Sequence, residues 1–278
     1  MKLKERFWLW GQDAGSHHAS AGNRVWKLPG VNRMGPAEGA RYFGLKKMCR
    51  VVMKGKPEPP FDKESEELRF LKEVVWSAMG DSGSVRNDKE SDLEEILRQA
   101  EKYPNITGAI LDDFFKKGDL PKKKIGRYSL ETIAEMRNQL HSFPRHPLDL
   151  WVVWYKHQLH FHIEEYLAIF DVIAYWNWTI TPKELDTLEE DLAFVVEKSP
   201  GKRRFAGCYM WNYGEGRPVT IHEIRTQCET FQAWIHRGDI EGIIFLSNNL
   251  ADLDLEAVEW AKTWIQEVGN EEISSLSG

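Results

Sequence analysis

The feature that most constrains this chain is an alternation in which eight short runs rich in β-branched and aromatic residues are separated by longer segments of helical periodicity. The runs are Arg6 to Trp10, Met48 to Lys54, Glu73 to Ala78, Ile106 to Phe115, Leu148 to Tyr155, Asp171 to Trp178, Phe205 to Trp211 and Gly242 to Ser247. Several are apolar at consecutive positions, as in Gly108-Ala-Ile-Leu111 and Gly242-Ile-Ile-Phe-Leu246. Strands with that pattern need cover on both faces, which a parallel sheet with crossover helices provides and a one-sided antiparallel sheet does not. An open doubly wound sheet shares the order of elements, but no glycine-rich phosphate turn follows an early strand here. The expectation is therefore α/β, a single (β/α)8 barrel over residues 1–278.

The intervening segments carry helix punctuation. Thr181 stands as a cap before Pro182, with acidic residues in the turns that follow, where the positive end of the helix dipole lies. Asp254 to Val268 repeats apolar residues at helical spacing before Gly269, and Thr220 to His236 and Asp88 to Lys102 behave alike. Pro57, Pro59 and Pro60 predict a long loop before a helix over Asp62 to Arg69. Asp13 to Met34 is aperiodic and rich in Gly, Ser, His and Asn, and reads as a loop on the face above the first strand.

Composition excludes several classes. The formal net charge is −6 with basic residues scattered among acidic ones, so no footprint for nucleic acid stands out. Cys49, Cys208 and Cys228 are too few and too far apart for a disulfide framework or a zinc-type spacing. No apolar run is long enough for a membrane span, and the first residues lack a secretion signal. A cytoplasmic location is expected of the chain as it stands, and a secreted or periplasmic one if a leader precedes it. No cofactor is expected.

In a barrel the C-terminal strand ends and the loops after them build the site. Here they carry Trp10, Gln12 and Asp13 after the first strand, Asp112 and Asp113 after the fourth, and Trp154 and Lys156 after the fifth. Trp176, Asn177 and Trp178 follow the sixth, Trp211, Asn212, Tyr213 and Glu215 the seventh, and Asn248 and Asn249 the eighth. Aromatic faces pack the C–H surface of a pyranose while amides and carboxylates pair with its hydroxyls, so a carbohydrate ligand is expected. Two neighbouring carboxyls that end an apolar strand interact and part their proton affinities. Asp113 is expected as the general acid, Asp112 as its support, and Glu215 as the opposing carboxylate, with Asp13 and Asp81 as further candidates.

Through Gly108-Ala-Ile-Leu-Asp-Asp-Phe-Phe115 and the tryptophan-rich later strands, the chain resembles the barrel glycoside hydrolases and their bacterial relatives. The likeness spans the chain as architecture and implies carboxylate acid/base hydrolysis of an O-glycoside. It departs from the chitinase-like pattern D-x-x-D-x-D-x-E, because Phe115 stands where the proton-donor glutamate would be, and from the clan with glutamates on strands four and seven, matched only by Glu215.

Three other readings fit the same residues. His17, His18 and the His157, His160, His162 group suggest a metal-dependent hydrolase, although His160 and His162 sit where a helix begins. Lys54 and Lys156 at strand ends suggest a Schiff-base lyase, although no phosphate-binding glycine turn follows strands seven and eight. A carbohydrate-binding barrel without catalysis would keep the aromatic platform alone.

Overall fold

The computed structural model describes residues 1–19, 26–116 and 125–273. Eight strands form a closed parallel barrel: β1 (Phe7–Gly11), β2 (Lys47–Arg50), β3 (Glu73–Met79), β4 (Ile106–Leu111), β5 (Asp149–Tyr155), β6 (Val172–Trp176), β7 (Arg203–Tyr209) and β8 (Gly242–Leu246). Each strand pairs with its sequence neighbours, and closure comes from β1 on β8 with Trp8 opposite Ile244. Helices lie between the strands, and the chain has the (β/α)8 barrel fold that the alternation predicts.

The helix punctuation reads well at several ends. Thr220 caps helix Ile221–Arg237 through its hydroxyl and Glu223 answers it, while Gly238 closes the other end at φ +79°. Thr181 accepts from the amide of Glu184, but the helix it opens is short, Pro182–Leu185, and a second helix, Leu188–Lys198, follows. The expected helix from Asp88 starts later, at Leu93, after a 3-10 turn over Val85–Asp88. Among the described residues no helix is long and apolar enough to cross a membrane.

Alternation along the strands fills the barrel with rings. Trp8, Trp151 and Phe205 meet in one layer, with Trp151 and Phe205 centroids 4.6 Å apart. Nearer the C-terminal ends, Trp10 and Tyr209 each lie 5.1 Å from Trp176. This second layer closes the barrel and leaves its upper faces to the space above. Gly207 makes room for it, since a Cβ there would stand 1.9 Å from a ring carbon of Trp176.

Several strands end earlier than the apolar runs. β2 stops at Arg50, β4 at Leu111, β6 at Trp176 and β7 at Tyr209, whereas Val51, Val52, Phe114 and Phe115 stay buried beyond them. Loops packed on the rim need apolar residues as much as strands do, and hydrophobicity alone does not mark where pairing ends. Trp211–Asn212 belongs instead to a small antiparallel pair with Arg217–Pro218.

Candidate active site

Above the upper ring layer, at the C-terminal strand ends, lies a cavity of about 600 Å³. That is within the size range of small-molecule sites. Its walls differ in chemistry. Asp81, Asp112 and Asp113 line the side built after β3 and β4, rings from β1, β5, β6, β7 and the loops beyond them line much of the rest, and Gln12, Lys54, Lys116 and Gln158 face the cavity as well.

The aromatic wall is continuous. Trp176 touches Trp10 and Tyr209; Tyr209 lies 5.6 Å from Tyr213, and Tyr213 lies 5.3 Å from Trp26. Trp26 meets Trp178 at 5.9 Å, Trp178 meets His157 at 6.1 Å, and His157 stacks on Tyr155 at 5.5 Å. Tyr213 is fixed by a 2.8 Å hydrogen bond to Nδ1 of His17. Two floor donors, Nε2 of Gln12 and Nε1 of Trp176, are buried and find no acceptor among the described residues. Trp178 is the exposed rim of the series, at 38%.

Asp112 continues the inward parity of Gly108 and Ile110, which carries its carboxyl into the wall. Its Oδ1 accepts from the amide of Asp113 at 2.8 Å and from the hydroxyl of Tyr155 at 3.1 Å. Burial, then the charges of Asp113 and Asp81, push its pKa well above the ordinary carboxylate range. Both hydrogen bonds fall on Oδ1, so the proton of the neutral form belongs on Oδ2.

Strict alternation would turn Asp113 away from the barrel. Its φ of +44° breaks the extended run, and the second carboxyl joins the first at the cavity. Oδ2 of Asp113 accepts from the amide of Ser82 at 2.8 Å. Asp81 is held by the amides of Lys54, at 2.7 Å, and Gly83, at 3.1 Å, and by the hydroxyl of Ser84. The phenols of Tyr155 and Tyr209 are raised by burial and then by the neighbouring aspartates, so both remain neutral donors.

Of the residues expected from sequence for sugar cleavage, Trp10, Gln12, Asp81, Asp112, Asp113, Trp176, Trp178 and Tyr213 line this cavity together. Trp154, Lys156, Asn177, Trp211, Asn212, Glu215, Asn248, Asn249 and Asp13 do not. Trp154 has outward parity, packs towards Phe194 and donates to the carbonyl of Gln158. Lys156 pairs with Glu184 at 2.8 Å and Asp191 at 3.0 Å; burial lowers its pKa, but these partners outweigh it and the net shift is upward, opposite to what a nucleophilic amine needs. Asn177 lies near Glu184, and Trp211 donates to the carbonyl of Trp26.

Asn212 and Glu215 bond each other, and Glu215, 44% exposed at its side chain, also pairs with Arg217. Asn248 ties the backbone of Gln12 to that of Met34, and Asn249 holds the carbonyl of Asp13. Asp13 pairs with the buried Arg50 beside a separate cavity of about 230 Å³.

Of the histidines, His17 and His157 line the cavity, whereas His160 packs on Phe161; the side chain of His18 lies outside the described residues. Among the described residues no group of three or more His, Cys, Asp or Glu side chains is placed to hold a metal ion. Lys54 lines the cavity. Tyr155, Tyr209, Trp26 and Gln158 were not singled out from sequence. Parity offered a signal for the first: once Trp151 faces inward, Tyr155 does too and Trp154 cannot.

Solved glycoside hydrolase structures share this barrel. A family 5 glycoside hydrolase of Prevotella bryantii superposes with a TM-score of 0.51 at 10% identity, covering 97% of this chain and 99% of its own. A candidate α-L-fucosidase of Bacteroides thetaiotaomicron gives 0.57 at 12% identity over 95% and 94%. A β-glucuronidase of Ruminococcus gnavus in complex with D-glucuronic acid gives 0.56 at 9% identity, over 93% of this chain but 49% of the enzyme, so this chain spans about half of that one. These likenesses show that the chain shares the (β/α)8 barrel fold with those enzymes. No family model matches the chain, and no curated protein matches it in sequence.

Proposed function

We propose that this protein is a glycoside hydrolase whose reaction takes place in the cavity above the barrel. One observation carries the reading: the carboxyl of Asp112, whose pKa burial pushes well above the ordinary carboxylate range, stands in the wall of a cavity faced largely by aromatic rings. A general acid must hold its proton at the working pH and release it to a leaving oxygen. Asp112 meets the first condition through its surroundings. Asp113, one peptide away, is the second carboxyl at the same cavity.

The sequence reading expects the reverse division of labour, with Asp113 as the acid, and the depth of Asp112 favours this one. Trp10, Trp176, Trp178 and Tyr213 form the platform for a sugar ring, and the floor donors of Gln12 and Trp176 take hydroxyl or carbonyl oxygens. The complex of a structurally similar β-glucuronidase with D-glucuronic acid is consistent with a carbohydrate in this place.

Release of reducing sugar from a glycan panel tests the reading. The wild type is expected to cleave at least one glycan, and Asp112→Asn is expected to lose roughly 10²- to 10⁴-fold in rate. Binding without release by the wild type indicates a carbohydrate-recognition barrel, and full activity in both Asp112→Asn and Asp113→Asn removes the site.

A further inference from the structure

Glycoside cleavage ordinarily places two carboxyls on opposite sides of the scissile bond, roughly 5 to 9.5 Å apart. The cavity does not have that symmetry. Its described carboxyls, Asp81, Asp112 and Asp113, all follow the adjacent strands β3 and β4, and two of them are joined by one peptide, with the amide of Asp113 bonded to Oδ1 of Asp112. The facing wall, from β6, β7 and β1, offers Trp176, Trp178, Tyr209, Tyr213 and Trp10.

The other acids named above are engaged elsewhere. Glu215 pairs with Arg217, Glu184 and Asp191 hold Lys156, and Asp13 sits with Arg50. Tyr209 stays protonated beside the aspartates and is no base, and His157 stacks on Tyr155 at the carboxyl side. Among the described residues the carboxyls stand on one wall and rings on the other, with His17 bonded to Tyr213, an arrangement that suits a nucleophile arriving with the substrate.

The geometry points to a 2-acetamido sugar as the substrate class, its own amide oxygen serving as the nucleophile and Asp113 holding the amide N–H. This rests on the hydrolase reading above. In the first step the amide oxygen forms a bond to the anomeric carbon while the glycosidic C–O bond breaks. The electron pair of that bond leaves with the aglycone oxygen, which takes the proton of Asp112. Asp113 accepts the amide proton, so the bicyclic oxazoline is neutral. Water then attacks the anomeric carbon, gives its proton to Asp112, and the oxazoline C–O bond opens as Asp113 returns its proton to nitrogen. Tyr209, a neutral donor facing the pair from β7, and the unpaired N–H of Trp176 stand where the amide oxygen has to be oriented.

The positive φ of Asp113 fits this use, because consecutive carboxyls serve one bound sugar, Asp112 at the leaving oxygen and Asp113 at the amide, only if both reach the same space.

The test uses the unaltered protein and two sets of nitrophenyl glycosides, 2-acetamido-2-deoxyhexosides and the matching 2-hydroxy hexosides, in both anomers. Cleavage of the acetamido set is expected, with a fall of roughly tenfold or more when acetyl is replaced by trifluoroacetyl, since a nucleophilic carbonyl must feel that substitution in the transition state. Cleavage of the 2-hydroxy set at comparable rates, or a rate indifferent to fluorine, overturns the inference and leaves the hydrolase reading standing. Failure to cleave either set, with a broader glycan panel also inert, takes both down.

Discussion

Replacing Asp112 by Asn should make the protein more stable and less active at the same time. Asn keeps an oxygen where Oδ1 accepts from Tyr155 and from the amide of Asp113, at 3.1 and 2.8 Å, so neither donor is abandoned. What disappears is the ionisable group. Below the pKa of an ordinary aspartate, folded and unfolded wild type both carry the proton, and the two proteins differ little. Above it the unfolded chain releases the proton while the buried carboxyl keeps it, so wild-type stability falls as pH rises until the folded group ionises.

Each tenfold of proton affinity added by burial corresponds to about 1.4 kcal/mol lost over that window, and the variant does not share the loss. For a chain of this size about 1 kcal/mol moves the melting temperature by about 2–4 °C. Thermal unfolding at pH 5 and pH 8 should therefore show the variant's advantage widening with pH, while hydrolysis drops. Asp112→Ala supplies the contrast, because it strands both donors at about 1–3 kcal/mol each. A melting difference between Asp112→Asn and wild type that does not change with pH would refute the reasoning.

Other substitutions separate the cavity from its scaffold. Trp178→Ala, at the exposed rim, should raise KM about tenfold or more with the melting temperature nearly unchanged, as steady-state kinetics and calorimetry together would show. Gly207→Ala should displace the Trp176 ring, costing about 1–3 kcal/mol in denaturant unfolding and most of the ligand affinity. Asn248→Ala should destabilise by about 2–4 kcal/mol, because backbone groups of Gln12 and Met34 lose their partner. Glu215→Gln should keep its rate within about twofold, since an exposed rim ion pair contributes little.

The barrel was legible because strands buried on both faces leave an unmistakable trace, as in Gly242 to Leu246. Strand ends were less so. The run through Trp211 stayed apolar beyond Tyr209 because its indole is buried and donates to the carbonyl of Trp26; in sequence it resembles a barrel-strand residue, whereas Trp211 belongs to the small antiparallel pair outside the barrel. Trp154 and Lys156 were placed at the site by proximity to a strand end, whereas parity assigns that place to Tyr155. The amides Asn212 and Asn248 have the composition of sugar binders but spend their groups on backbone bonds, a partnership that depends on residues more than 200 positions away for Asn248. The positive φ that brings Asp113 back to the cavity leaves no mark in the residue types.

The account depends most on a proton held by one buried carboxyl at neutral pH. Carbon-13 spectra of protein labelled at the aspartate side-chain carboxyls, recorded at pH 7 for wild type and for Asp112→Asn, test this directly. The account predicts a neutral-carboxyl resonance in the wild type that vanishes in the variant. A wild-type spectrum in which every aspartate is ionised at that pH would contradict it.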